Sequence, residues 1–502
     1  MSTKADQSKT AAIMIQGTGS DVGKSFLVAA LARAFVNRGL RVSPFKPQNM
    51  SNNAAVCAGG EIGRAQALQA KAARIDPSVN MNPILLKPQN DIGAQVIIKG
   101  KLAYTASAHD YHLIKKHLLN EVINSFQIMS NDSDLVLVEG AGSPSEINLR
   151  KNDIANMGFA NAAKVPVLIV GDIERGGVIA SLIGTCMTLP ENDRLKVKGL
   201  IVNKFRGDIS LFDNAHSILH ESTGVPVIGV VPWCKNASIL PKEDSSSLIP
   251  EPTQIKKTKN NMIKIAVLRL PRIANFDDLD PLIAEGPISL NFIESGKAIP
   301  GNCDLIIIPG SKATRADLKS IKEEGWHIDI VAHVRRGGKV LGLCGGYQIL
   351  GNIINDKLGI EGSPGVENGL GLLNVNTTIE EDKTITETNA IHVETETEIS
   401  GYEIHMGQTS GPDTARPWAR HIDGKSDGAI SKNGKVAGTY IHGAFANDTF
   451  RHAWIKSFAR NKTIASTIVN WDESIESTLD EVANTLEESL NLDLILEIAR
   501  GR

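Results

Sequence analysis

Two short stretches of this sequence set reactive side chains among glycines. In QGTGSDVGKS (16–25) a Gly-rich turn leads into Lys24 and Ser25. Between a strand and a helix, such a turn aims backbone N–H groups at phosphate oxygens. Lys24 adds charge for the β- and γ-phosphates, and the Ser25 hydroxyl suits Mg2+. The strict phosphate-loop spacing needs glycine at 18, where Thr18 stands. Here Gly17 is followed by Thr18, Gly19, Ser20, Asp21 and Val22 before Gly23-Lys24-Ser25. The alternative is an ordinary strand-to-helix turn with an exposed lysine. The order of strand, loop, Gly-Lys-Ser and helix favours the phosphate loop.

In GLCGGYQILG (342–351), Gly342, Gly345 and Gly346 surround Cys344. A strand that turns sharply into a helix with a nucleophile at the apex needs small flanking residues. The N–H groups of the helix that follows favour a negatively charged sulfur. Cys344 then needs a general base, and His442, at the end of a later strand-like run, is the candidate. An oxyanion needs N–H donors. Gly345 supplies one, and the turn at 309–311, near Gly310, a second. A buried cysteine is more often inert packing, and a single histidine more often structural. What separates this set from those readings is that elbow, turn and His442-Gly443 all follow strands, at the edge where open α/β sheets carry their sites.

The elements that must hold these residues are legible as alternation. Val/Ile-rich runs at 11–17, 134–142, 165–172, 197–204 and 225–232 read as buried strands, and 24–39 and 61–75 as helices. Near-continuous apolar strands separated by helices mean a parallel sheet covered on both faces. At 241–261 the chain turns polar, with three prolines, and reads as a linker. A second alternation follows, with strands at 263–270, 303–312, 339–346 and 434–443. The expected fold is therefore α/β with two doubly wound domains, 9–240 and 262–458. A tail, 459–502, has helical spacing over 473–500 and should pack on one of them.

The totals agree. A chain of 502 residues exceeds one ordinary core. A net charge of −3 gives no global pull toward nucleic acid or membrane. The five cysteines form no CxxC pair, which reads as reduced thiols in a cytoplasmic protein without a structural metal site. The N-terminus is not a secretory signal, and no apolar run approaches the ~18 residues needed to span a bilayer.

The loop GTGSDVGKS resembles that of dethiobiotin synthetase and its relatives, which use ATP to activate a carboxylate. On that resemblance Glu139, ending the strand in LVEGAG (137–142), is a Mg2+ carboxylate, and Asn203, in IVNKF (201–205), lies where relatives read adenine. The alternatives are a strand-end cap for Glu139 and a turn residue for Asn203. The second half resembles class I glutamine amidotransferase domains, in which the elbow cysteine releases ammonia from glutamine. There Gln348 matches a position that contacts bound glutamine. Those domains usually follow the histidine with Pro-Glu, whose glutamate orients it. Here the run is His442-Gly443-Ala444, so another acid must do so or the pair acts alone; that absence is typical of the cobalamin-pathway subgroup.

With these sites, PFKPQNMSNNA (44–54) and GYEIHMGQT (401–409) make the chain similar to the cobyric acid synthase family from the phosphate loop to about residue 458. The resemblance implies an ATP-dependent carboxylate-activating domain joined to a glutamine amidotransferase domain. Its members amidate the b, d, e and g carboxylates of adenosylcobyrinic acid a,c-diamide, with glutamine as nitrogen donor and ATP as its Mg2+ complex. No tightly bound cofactor is implied, and the oligomeric state is left open. For a polyanionic corrinoid, Lys46, Arg64, Lys87 and Lys99 are cations that can meet carboxylates, or a solvated charged surface. Gln48, Asn49 and Asn52 can bond substrate amides or cap the next helix. His405 has no assigned role. The competing readings are cobyrinic acid a,c-diamide synthase, a ParA/MinD-like regulatory ATPase, disfavoured because no lysine precedes Lys24 in the loop, and a CTP synthase-like enzyme, which keeps the His-x-Glu pair absent here.

Overall fold

A computed structural model describes residues 10–89, 93–243, 262–458 and 469–501. The first sheet has six parallel strands in the order 227–232, 197–205, 167–172, 11–17, 135–139 and 42–45. Alternate residues of its central strand enter opposite cores. Ile13 and Ile15 pack with Leu27 and Leu31 of the helix Lys24–Asn37, whereas Ala12 and Met14 pack with Val178 and Leu182 on the other face. Burial on both faces is why these strands read as unbroken apolar runs.

The second sheet runs 288–293, 263–268, 305–308, 339–343, 436–439 and 429–430, parallel except for the last pair. The strand that ends at Cys344 thus lies between the one that ends at the Gly310 turn and the one that leads to His442. The expected α/β class with two doubly wound sheets is what the chain adopts.

Two features lie outside simple alternation. Between 48 and 107 the chain forms a four-stranded sheet and a small hairpin, Ala54–Cys57 with Gly60–Gly63. The helix expected over 61–75 begins later, at Arg64, because Gly60–Gly63 is a strand. In the second half, Asn376–His392 and Glu398–Ser410 form a long antiparallel hairpin. The hairpins meet across the boundary, where Ala54, Leu85, Ile97, Tyr402 and Ile404 make one buried apolar cluster.

The tail returns to the first domain. Trp471–Ser489 carries Ile475, Leu479, Val482 and Leu486 on one stripe, and these join the core of Leu27, Val28 and Leu31. Arg33, fully buried, pairs with Glu476 at 2.6 Å. The 241–261 segment read as a linker lies outside the described residues from 244 onward, but Glu243 is inside a site described below.

If the tail helix completes the first core, Leu479→Ala should destabilise that domain by about 2–5 kcal/mol. Denaturant unfolding checks this, and a change under about 1 kcal/mol would mean that the stripe is not a core element.

Candidate active site

At the carboxyl edge of the first sheet the phosphate loop is bent by Gly23, at φ 95°, and Asp21, at φ 59°. A Cβ on Gly23 would lie 2.3 Å from Asn203 Nδ2, so glycine is required there. Asn203 is buried and donates to the Val22 carbonyl at 2.9 Å, bracing the loop from below. Lys24 Nζ donates to the Gly19 and Gly142 carbonyls at 2.8 and 3.1 Å. Burial lowers its pKa, and Glu139 pulls it partly back.

Ser25 Oγ donates to Glu139 Oε1 at 2.6 Å and stands 2.7 Å from Glu243 Oε2. Lys46 Nζ bridges the same carboxylates, at 2.8 Å to Glu139 and 2.9 Å to Glu243. Burial works against a charged Lys46, but the two glutamates outweigh it and hold the ammonium well above its ordinary range. From the helix Arg64–Ala72, Gln69 Nε2 donates to Glu139 Oε2 at 2.6 Å and Gln66 Nε2 at 3.3 Å. A hydroxyl and two carboxylates converging beside a cation-lined loop are hard oxygen donors of the kind Mg2+ takes.

The second site is a turn under strain. Cys344 sits at φ 50°, ψ −107°, outside the regions that L-residues favour. The surroundings over-determine that conformation. A Cβ on Gly342 would approach the Gly346 carbonyl oxygen at 2.5 Å, and one on Gly346 the Ile308 oxygen at 2.0 Å. Cys344 N–H donates to the Thr439 carbonyl at 2.8 Å. The Gly310–Ser311 turn touches the elbow directly, since a Cβ on Gly345 would lie 2.9 Å from Ser311 N. The two regions expected to supply oxyanion donors are therefore contiguous.

The Cys344 sulfur lies 3.6 Å from the Ile404 carbonyl oxygen, and the His442 ring faces the Gly310 turn beside the elbow, where a Cβ on Gly310 would lie 3.4 Å from its Cε1. His442 Nδ1 lies 2.6 Å from Asp278 Oδ2, and Asp278 Oδ1 accepts from Gly443 N at 2.7 Å. With Nδ1 committed to the carboxylate, Nε2 is the nitrogen left to serve the sulfur. Burial disfavours the imidazolium, but Asp278 and the sulfur overcome that and push the His442 pKa up to about 10. The arrangement is a thiol, an imidazole and a carboxylate in series, the nucleophile–base–orienter logic of acyl transfer. Tyr402 stacks on the imidazole, ring centroids 5.3 Å apart.

Asp278 was not assigned from sequence. It takes the place of the missing His-x-Glu glutamate from a different loop, after the strand Ile263–Leu268. The signal available was the run NFDDLDP (275–281), three acids in an apolar setting after a strand. Glu243, Gln66 and Gln69 were missed too, because nothing local marks a side chain that meets its partner across the fold.

The remaining candidates have these surroundings. Gln348 is buried, accepts from Thr314 Oγ1 at 2.9 Å, and donates to the Met406 carbonyl and Tyr440 hydroxyl at 3.2 and 3.1 Å. Its amide braces the elbow helix against neighbouring strands. The four cations considered for a polyanion all have internal carboxylate partners: Lys46 as above, Arg64 with Asp277, Lys87 with Glu61, and Lys99 with Glu121. Lys46, Arg64 and Lys87 form buried pairs rather than a solvated surface, whereas Lys99 and Glu121, 30% and 48% exposed, are a surface pair. Gln48 accepts from the Tyr111 hydroxyl, and Asn49 donates to Gln66. Both lie in a short strand, Gln48–Met50, rather than capping a helix. His405 stacks on Tyr440 and lies 3.2 Å from Glu403, a packing position.

Comparison with known proteins follows the same division. Residues 13–248 match the family model of the CobQ/CobB/MinD/ParA nucleotide binding domain. Residues 264–450 match that of the CobB/CobQ-like glutamine amidotransferase domain. The chain is 54% identical to a cobyric acid synthase of Methylorubrum populi, over 98% of this chain and 99% of the relative. It is 53% identical to one from a Sinorhizobium species, over 98% and 100%. A third, from a Jannaschia species, is 50% identical over 97% and 99%.

The triad geometry predicts a pH signature. If His442 is the group that protonates the departing nitrogen, a pKa pushed up to about 10 keeps it charged through neutral pH. Asp278→Asn removes the stronger of the two groups that raise that value, leaving burial and the sulfur. The alkaline limb of glutamine hydrolysis should then move down toward the ordinary imidazole range of about 6.5, with the rate falling at least about tenfold. An unmoved limb in the folded variant would remove Asp278 from the role.

Proposed function

The chain belongs to the cobyric acid synthase family, and from that premise we propose how its two sites divide the work. The enzyme is a glutamine-hydrolysing, ATP-dependent amide-forming synthase. It converts the b, d, e and g carboxylates of adenosylcobyrinic acid a,c-diamide to amides.

A carboxylate is a poor acylating agent, so ATP must first convert it to an acyl phosphate. The loop Gly17–Ser25 cradles the triphosphate, with Lys24 and Lys46 offsetting its charge. Ser25, Glu139 and Glu243 would hold the Mg2+ of the nucleotide complex, which neutralises phosphate charge. The substrate carboxylate attacks the γ-phosphorus and ADP leaves. In the second site the Cys344 thiolate attacks the glutamine side-chain carbonyl. The N–H of Gly345 and the Gly310 turn receive the oxyanion. His442, oriented by Asp278, gives its proton to the nitrogen as ammonia leaves a thioester. Water then releases glutamate, and ammonia displaces phosphate from the acyl phosphate.

The observation that carries this reading is the presence of both half-sites on one chain, each complete in residue type. Mass spectrometry of the corrinoid product tests it. With the a,c-diamide as acceptor, four steps of about −1 Da each, OH replaced by NH2, are expected; no step on the diamide but two on the acid that lacks the a and c amides would assign the a,c-diamide reaction instead. Cys344→Ser should abolish glutamine-dependent amidation and leave amidation from ammonium salts, whereas equal loss of both in a folded protein would remove Cys344 as the nucleophile. Lys24→Ala should end product formation from either nitrogen source, and unchanged turnover would remove the phosphate-loop assignment.

A further inference from the structure

We propose that Arg64, which belongs to the ATP-site domain, is a positioning residue of the glutaminase triad, and that the helix it begins couples the triad to the ATP site. This rests on the function proposed above and adds a residue to it.

Arg64 opens the helix Arg64–Ala72 and crosses the domain boundary. Its Nε is 2.9 Å from Asp277 Oδ2, an ion pair without hydrogen-bond alignment, with both side chains largely buried at 17% and 11% exposure. Asp277 directly precedes Asp278, the carboxylate on His442. A terminal nitrogen of Arg64 donates to the Ala54 carbonyl at 2.9 Å and to the Tyr402 hydroxyl, and the guanidinium carbon lies 5.0 Å from the Tyr402 ring centroid. Tyr402 in turn stacks on the His442 imidazole and exchanges backbone hydrogen bonds with it at 3.0 and 2.8 Å. One guanidinium thus fixes both supports of the catalytic histidine, the aspartate loop on one side and the stacked ring on the other.

The local charge makes that grip necessary. Asp277, Asp278 and Asp280 crowd one short loop, and buried oxygens of Asp277 and Asp280 have no hydrogen-bond partner among the described residues. Lys242 contributes at Asp280, but Arg64 acts on all three acids. Burial pushes the Asp277 and Asp280 carboxyls up, against the pull of Arg64, so withdrawing Arg64 changes the charge or the position of the loop that carries Asp278.

The other end of the same helix grips the ATP site. Gln66 and Gln69 bond Glu139, and Gln69 also reaches the Ser25 carbonyl at 3.3 Å. At about 1.5 Å rise per residue, Arg64 and Gln69 are only ~7–8 Å apart along a rigid axis. A second connection runs in parallel. Asn53 Nδ2 donates to the Glu243 carbonyl at 3.0 Å, while Asn53 Oδ1 accepts from Asn275 N at 2.7 Å and Asn275 Oδ1 from Ala54 N at 3.0 Å. Both connections leave the Ser25–Glu139–Glu243 cluster and end on the loop 275–278. Filling the first site with nucleotide and acyl acceptor repositions its carboxylates, and the helix passes that change to the triad.

The test uses the full-length enzyme as wild type, Arg64→Met, and the charge-balanced double variant Arg64→Met/Asp277→Asn, which keeps the measurement interpretable if the single variant folds poorly. Glutamine hydrolysis is measured with and without MgATP plus the corrinoid diamide, alongside amidation from ammonium chloride. Wild type should be stimulated by MgATP and acceptor about fivefold or more, within the usual range of site coupling. In the double variant the stimulation should vanish, kcat for glutamine hydrolysis should fall at least about fivefold, and KM should change less than about twofold. Amidation from ammonium should persist. The proposal is overturned if the folded double variant keeps wild-type stimulation, if wild type shows none, or if amidation from ammonium falls in proportion, which marks a merely structural residue. Failure of wild type to form amides from any nitrogen source would instead overturn the function on which the proposal rests.

Discussion

Charges buried at a boundary between two folded units must be neutralised there, and in this chain they are neutralised across it. Glu61, fully buried in the first half, is bonded by Lys87 from its own half and by Lys383 from the other. Those two cations outweigh the burial and hold the Glu61 carboxyl down at about 2. Arg64 and Asp277 make a second crossing. Buried ion pairs add little net stability, but breaking one by removing a partner is costly. Such pairs therefore specify how two surfaces meet. The apolar cluster around Tyr402 and Leu85 supplies the burial, and the ion pairs fix its register.

Both reactive sites use the same edge of the same kind of sheet, for different ends. In the first, Gly23 lets the loop bend over the helix that carries Lys24 and Ser25, and Glu139 behind it is held by two glutamines of the helix Arg64–Ala72. In the second, glycines let a strained cysteine stand at the apex of a turn. The strain at Cys344 is held in place by contacts that leave no room for a Cβ at 342 or 346. The stacking of Tyr402 on His442 brings the long hairpin of the second half into the candidate site, so this hairpin is at once interface and a wall of that site.

Much of this was legible in the sequence, and the boundary between legible and illegible is physical. Lys24, Ser25, Cys344 and His442 sit in local patterns whose chemistry depends on near neighbours, so spacing singles them out, whereas Glu139 comes from the family resemblance. The buried strands announce themselves because both faces are covered. Asp278, Glu243 and Gln69 act on partners far away in the chain, and no local pattern encodes that. For the same reason Lys46, Arg64, Lys87 and Lys99 read as available cations, although folding gives each an internal carboxylate. The tail helix showed its apolar stripe but not its destination. Alternation with polar residues hid the 376–410 hairpin, which is exposed along much of one face.

The central claim is that one chain makes ammonia at Cys344 and spends it on a carboxyl group activated at the phosphate loop. The most direct measurement is isotopic. The enzyme turns over the corrinoid diamide with MgATP and glutamine labelled with 15N at the side-chain amide, in the presence of unlabelled ammonium at equal concentration, near neutral pH. The account predicts that 15N dominates in the product amides, because nitrogen released in the second site reaches the first within the same molecule. Product nitrogen that simply follows the composition of the bulk ammonia would contradict it.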